Sequence, residues 1–283
     1  MKYIFISDFF VDQVLGGGEL NDDELIKIIK KKYQIKKINS HMVTEEFIYK
    51  NINSNYVISN FINLTENCKS IISDRCKYII YEHDHKYLID RNPSKYQGFI
   101  APKSKIVNYI FYKNARAVLC QSTFHKNIVY ENLKINNIKS LGGNLWNLNS
   151  IDLISNFCKK PKFNKCSIME SKIPHKNTLS SIKYCKAKNL SYELIPSLQY
   201  HIFLDRISNN DSLVFFPKTP ETLSRITVES RMMNMKVITN SFVGATREKW
   251  FKFKGDDLID IMINKREEIV NTVEGIFNER QKK

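Results

Sequence analysis

At 283 residues, with 42% hydrophobic and 26% charged side chains, the chain has room for two moderate domains and the composition of a soluble globular protein, not a disordered one. No apolar run approaches the ~20 residues needed to cross a bilayer, and the opening Tyr3-Ile4-Phe5-Ile6 is too brief for a signal-peptide core. The six cysteines (Cys68, Cys76, Cys120, Cys158, Cys166, Cys185) form no CxxC pair and no zinc spacing, which predicts free thiols in a reducing cytoplasm. The formal charge of +15 has three readings: an anionic membrane surface, nucleic acid, or the bias of a chain heavy in Lys, Ile and Asn.

Residues 3–7 (YIFIS) predict the first strand of a parallel sheet. Gly16, Gly17 and Gly18 follow and permit close backbone approach. Glu19 then opens a helix with Leu20, Leu25, Ile28 and Ile29 at helical spacing. Strand, glycine loop and helix form an arrangement that can cradle phosphate. Lys27, Lys30, Lys31, Lys32, Lys36 and Lys37, on and just after this helix, read as a solvated outer face. Further strands are expected at 57–58 and 78–81, the second leading into Glu82-His83-Asp84-His85. Open α/β sheets hold ligands in loops at the carboxyl ends of their strands, and His83 and His85 alternate as if to face one side. No further His or Cys stands at ligand spacing, so no metal is expected there.

Arg91, Lys95, Lys103 and Lys105, interleaved with Tyr87, Tyr96 and Phe99, could line a groove for polysaccharide or nucleic acid, though any loop of a lysine-rich protein would look similar. Ile106, Tyr109, Ile110 and Tyr112 predict the buried face of the next helix. Residues 117–120 read as a strand, and Gln121-Ser122-Thr123 as its exit with an N-cap for a helix from near Phe124. Residues 138–144 close the first domain.

The second domain alternates again: strand 166–169, helix 176–188 with Leu179, Ile182 and Tyr184 inward, strand 190–194, helix 198–207 and strand 213–216. This predicts an α/β fold class of two doubly wound, Rossmann-like domains facing across a cleft, over 1–145 and 146–265. A helical segment, 266–283, folds back on the first. In residues 215–230, FFPKTPETLSRITVES, the strand runs through Pro217 and Pro220 into a helix expected over 222–233. That puts the amides of Thr222, Leu223 and Ser224 at a helix N-terminus, a ready anion site. Glu221 lies outside this helix and Glu229 about two turns inside, so the two can touch opposite ends of one extended ligand.

This segment, with VITNSFVGATREKW after it, resembles the paired-glutamate signature of the retaining nucleotide-sugar glycosyltransferases with two Rossmann-like domains (the GT-B fold, similar to glycosyltransferase family 4). The resemblance is best over 166–250, and Gly16-Gly17-Gly18-Glu19 is similar to the glycine loop of the same family. It implies a nucleotide diphospho-sugar donor, with no cofactor or metal. Glu221 would then hold the sugar near the reacting carbon and Glu229 the ribose, with Gly16, Gly17, Gly18, Lys172, Lys176, Thr222, Leu223 and Ser224 on the donor side. His83 or His85 would stand near the sugar, and Glu19, Arg91 and Ser122 on the acceptor side. Two departures stand out: Lys176-Asn177 replaces the usual Lys-Gly, with Lys172 the stand-in for an Arg, and Thr222 stands where glycine is common. The implied acceptor is an envelope saccharide or lipid-linked glycan, in the cytoplasm or peripherally at the inner membrane face. Hydroxymethylated bases in DNA are an alternative acceptor, and a degenerate sugar-nucleotide-binding module is a second alternative.

Overall fold

The structure is a computed structural model describing residues 1–279; positions 280–283, the end of the expected C-terminal helix, lie outside the described residues. The chain divides into two compact units: residues 1–145 with 265–279, and residues 146–264.

The first unit is built on six parallel strands: β1 (Lys2–Ser7), β2 (Gln34–Asn39), β3 (Asn55–Ile58), β4 (Lys77–Glu82), β5 (Val118–Cys120) and β6 (Ile138–Ser140), in the order β2-β1-β3-β4-β5-β6. Alternation along each strand decides the two faces. Ile4, Ile6, Tyr56, Ile58, Tyr78 and Ile80 enter one core with α2 (Glu45–Lys50), α3 (Glu66–Arg75), α4 (Tyr109–Asn114) and α5 (Thr123–Leu133). Tyr3, Phe5, Val57, Ile79, Tyr81 and Leu119 enter the other, against α1 (Gly17–Lys30) and the far end of the long last helix. A parallel sheet covered on both faces needs such continuous apolar strands.

Lys36 and Lys37, read as solvated residues just after the first helix, lie exposed on β2, an edge strand where lysine discourages further pairing. Two expectations are corrected here. The helix α4 is short and buries Phe111 and Tyr112, while Tyr109 and Ile110 are exposed. The first helix begins at Gly17, before Glu19, with Gly16 as its N-cap.

The second unit has four parallel strands, β7 (Phe163–Met169), β8 (Tyr192–Ile195), β9 (Asn210–Phe215) and β10 (Lys236–Thr239), in the order β10-β9-β7-β8. Leu213 and Phe215 face a core with α6 (Leu148–Cys158), α8 (Tyr200–Ser208), α9 (Arg225–Met232) and the near end of α10 (Asp256–Asn278). Cys166, Ile168 and Val214 face the other side, against Cys185 of α7 (Thr178–Ala187). Leu179, expected to point inward from α7, is 70% exposed; Ile182 and Tyr184 pack on this core. Among the described residues no helix is long and apolar enough to cross a membrane.

The first unit also buries charge at the carboxyl end of β4. Glu82 accepts from the Lys86 ammonium and the Tyr112 hydroxyl, and the Asp84 N–H reaches it at 2.9 Å. The Glu82 and Lys86 side chains are fully buried, so each charge depends on the other. Lys86→Met should strand the carboxylate and cost roughly 3–5 kcal/mol in urea unfolding followed by circular dichroism. The double change Glu82→Gln with Lys86→Met, which removes both charges, should cost less than the single one.

Candidate functional site

In the second unit the strand order reverses direction between β7 and β9, since β8 lies on one side of β7 and β9 on the other. Loops leaving the two strands at such a point diverge and open a crevice at their carboxyl ends. The loop after β7 carries Lys172 and Lys176, and the loop after β9 carries Glu221. Lys172 is exposed, while Lys176 Nζ lies 2.8 Å from Glu221 Oε1 with both side chains only partly exposed. The two loops are tied by Asn177, whose side-chain amide donates to the Phe216 carbonyl, and by the Lys218 N–H, which donates to the His175 carbonyl at 2.8 Å. Glu221 itself is pinned: its N–H donates to the Phe242 carbonyl and its carbonyl accepts from the Gly244 N–H, a short parallel bridge opposite Val243.

That bridge corrects the expected helix start. Thr222, Leu223 and Ser224 are loop residues, and α9 begins at Arg225. Ser224 sits at φ 74°, a left-handed conformation unusual outside glycine, and its hydroxyl meets the Thr227 hydroxyl at 2.8 Å. Leu223 is buried and its carbonyl accepts from the Ala245 N–H, so tertiary pairing holds these three residues out of the helix. The first-turn amides of α9 therefore begin at Arg225.

Glu229 is 2% exposed. Its Oε1 accepts from the Trp146 indole N–H at 2.9 Å and the Tyr200 hydroxyl at 2.7 Å, and Arg225 Nε lies 3.5 Å away. The Arg225 guanidinium stacks over the Trp146 ring at 4.5 Å. Burial and the neighbouring Glu229 charge push the Tyr200 hydroxyl well up from its ordinary value. Trp146, Tyr200 and Arg225 were missed from sequence; the (i, i+4) spacing of Arg225 and Glu229 was the available signal.

In the first unit the candidates gather at the carboxyl ends of β1, β4 and β5. Gly16 caps α1, and a Cβ at this position would stand 2.3 Å from the Glu19 carboxylate, which folds back over it. Burial raises the Glu19 carboxyl above its usual range. His83, just after β4, places Nε2 at 2.8 Å from Asp22 Oδ1 and Nδ1 at 2.7 Å from Gln121 Nε2, with its ring stacked on Tyr81. His85 turns away from this group. It is 3% exposed, its Nδ1 meets the Tyr87 hydroxyl at 3.0 Å, and its ring lies edge-on to that of His125. His125 in turn sends Nε2 to the Asp84 carbonyl. The two histidines following β4 thus do not share a side, because the chain leaves the strand at Glu82. Ser122 is the buried N-cap of α5, its hydroxyl accepting from the His125 N–H. Arg91 is exposed at φ 51° and pairs with Asp84 at 3.2 Å.

No family model matches the sequence, and no curated protein matches it. Solved structures match over nearly the whole chain. The sucrose-phosphate synthase of Thermosynechococcus elongatus is 9% identical with a TM-score of 0.60, over 98% of this chain and 95% of that one. A glycosyltransferase from Rickettsia africae is 13% identical with a TM-score of 0.58, over 99% of each chain. HepE of Anabaena in complex with UDP is 11% identical with a TM-score of 0.56, over 98% of this chain and 97% of that one. The fold is that of the GT-B glycosyltransferases, two Rossmann-like α/β units.

Burial holds His85 down to about 4, from an ordinary 6.5. Between those values the unfolded chain binds the proton and the folded one does not, so stability falls as the solution is acidified below about 6.5 and levels off below about 4. The full difference is about 3 kcal/mol. Urea midpoints measured from pH 7.5 down to 4 should fall at least accordingly, and His85→Phe should make that slope shallower, the remainder belonging to His125, which burial also holds well below its ordinary value.

Proposed function

We propose that this chain is a retaining glycosyltransferase that moves a sugar from a nucleotide diphospho-sugar to an acceptor hydroxyl. The observation that carries the reading is the Lys176–Glu221 pair where β7 and β9 diverge, a cation and a carboxylate held 2.8 Å apart in the crevice of a Rossmann-like unit. A uridine nucleotide is the donor class to test first, because HepE, a protein of similar fold, was solved with UDP and with UDP-glucose.

In this reading the donor diphosphate enters beside the amino end of α9 and takes Lys176 from Glu221. Lys172 adds a second positive charge from the same loop. The bond between the anomeric carbon and the diphosphate oxygen breaks with its electron pair going to that oxygen. Lys176 and the first-turn amides of α9 stabilise the charge that develops there. The acceptor oxygen bonds to the same face of the carbon, and its proton passes to the departing phosphate. Glu221, released from Lys176 but still pinned through its backbone, accepts hydrogen bonds from the sugar hydroxyls. With Oε1 already holding Trp146 and Tyr200, Glu229 serves the ribose end by fixing those side chains. His83 is the histidine beside the glycine turn, and His85 supports the fold from inside.

An envelope saccharide or lipid-linked glycan is the acceptor class we favour. Support comes from the exposed strap in which the Ile89 N–H donates to the Lys105 carbonyl, setting an apolar and a basic residue side by side with Ile100 and Lys103 nearby in the chain. The site would then work at an anionic membrane surface.

A thermal-shift screen of nucleotide sugars should show stabilisation by UDP-glucose or another uridine donor, about 2.7 kcal/mol at a hundredfold excess over Kd. No shift with any nucleotide sugar would remove the donor assignment. Glu221→Gln should lower transfer about 100-fold or more while UDP affinity stays within about threefold. Unchanged turnover would take Glu221 out of the mechanism.

A further inference from the structure

The group around His83 is closed on four sides, and the closure reaches the glycine turn. A carboxylate can only accept, so the Nε2 facing Asp22 at 2.8 Å is the donor. An amide nitrogen can only donate, so the Nδ1 facing Gln121 Nε2 at 2.7 Å is the acceptor. The Tyr81 ring covers one face of the imidazole at 4.6 Å, with 28° between the planes. On the remaining side a Cβ added to Gly18 would meet His83 Cγ at 3.3 Å, and Cβ and Cδ2 at 3.5 Å. The His83 and Asp22 side chains are 6% and 4% exposed, so water does not loosen either contact. Asp22 comes from α1, His83 from the exit of β4 and Gln121 from the exit of β5.

We propose that Asp22 and Gln121 are positioning residues, which hold His83 with its proton on Nε2 and make its ring the rigid floor under Gly18. A ring with both nitrogens engaged inside the protein moves no proton. Its part is mechanical: it sets the height of the backbone at the amino end of α1. Gly18 is glycine because that floor cannot retreat. Any consequence for catalysis rests on the transfer reading above together with the expected donor-side role of Gly16, Gly17 and Gly18; the arrangement itself does not.

The test is therefore substrate-free. In the full chain labelled with 15N-histidine, long-range proton–nitrogen correlation spectra separate the two ring nitrogens of all six histidines, and His83→Gln assigns the signal. His83 should show a protonated Nε2 and a bare Nδ1, without averaging between tautomers. A proton on Nδ1, or an averaging ring, would overturn the proposal. Asp22→Asn keeps an acceptor and should keep the tautomer. Gln121→Glu replaces the donor by an acceptor and should drive a proton onto Nδ1; an unchanged spectrum there would count against the assignment. The second readout is a cycle of Gly18→Ala with Gln121→Ala. Once the wall is gone the ring can yield, so the combined loss in the folding equilibrium constant should fall short of the product of the single losses by about threefold or more. Losses that simply multiply would mean that Gln121 does not hold the floor in place. Both measurements are made without a donor, so failure of the transfer reading would change neither result.

Discussion

The contact between Lys176 and Glu221 ties the two loops on which the proposed transfer rests. Each residue follows a different strand, and those strands are neighbours only because the sheet order places β9 beside β7. Glu221 is further fixed by backbone pairing with residues 242–244, so its carboxylate is aimed by the main chain as well as by the lysine. An ion pair that is neither fully buried nor fully exposed suits a site whose cation can change partners. Burying it deeper would make the exchange expensive, and exposing it fully would leave little field to exploit.

Elsewhere the buried charges are of a different kind. Glu24 meets Arg266 at 2.7 Å, Glu82 meets Lys86, and Asp22 meets His83, each in the interior of the first unit. Asn21 adds a fourth polar anchor, accepting from the Leu145 N–H. Three of these residues, Asn21, Asp22 and Glu24, lie on one short stretch of α1, where they are buried although polar. Helix and sheet are joined there by hydrogen bonds with defined partners, which specify one arrangement where aliphatic packing would tolerate several.

How much of this was legible follows from what each residue type can report on its own. The apolar strands of both sheets were readable, because a strand covered on both faces must be apolar throughout. The strand β2 was not: QIKKIN is an edge, paired on one side only, and its lysines read only as a solvated face after the first helix. Nor was the late start of α9, since Glu221 and Leu223 are paired with a segment some twenty residues further on, which keeps Thr222 to Ser224 out of the helix. Asp22 and Gln121 carry no motif, and only the fold brings them to His83. Sequence spacing similarly put His83 and His85 on one side of a strand that in fact ends before them.

The long helix α10 supplies Leu258, Ile259 and Met262 to the core of the second unit, and Ile269, Val270, Val273, Ile276 and Phe277 to one core of the first. One face of the six-stranded sheet is therefore covered by residues made after the whole of the second unit. As the chain emerges from the ribosome, Tyr3, Phe5 and Ile79 stay incompletely covered until residues 269–277 arrive. The unit begun first is completed only after the second has been made, and that interval is when it most needs shielding from its neighbours.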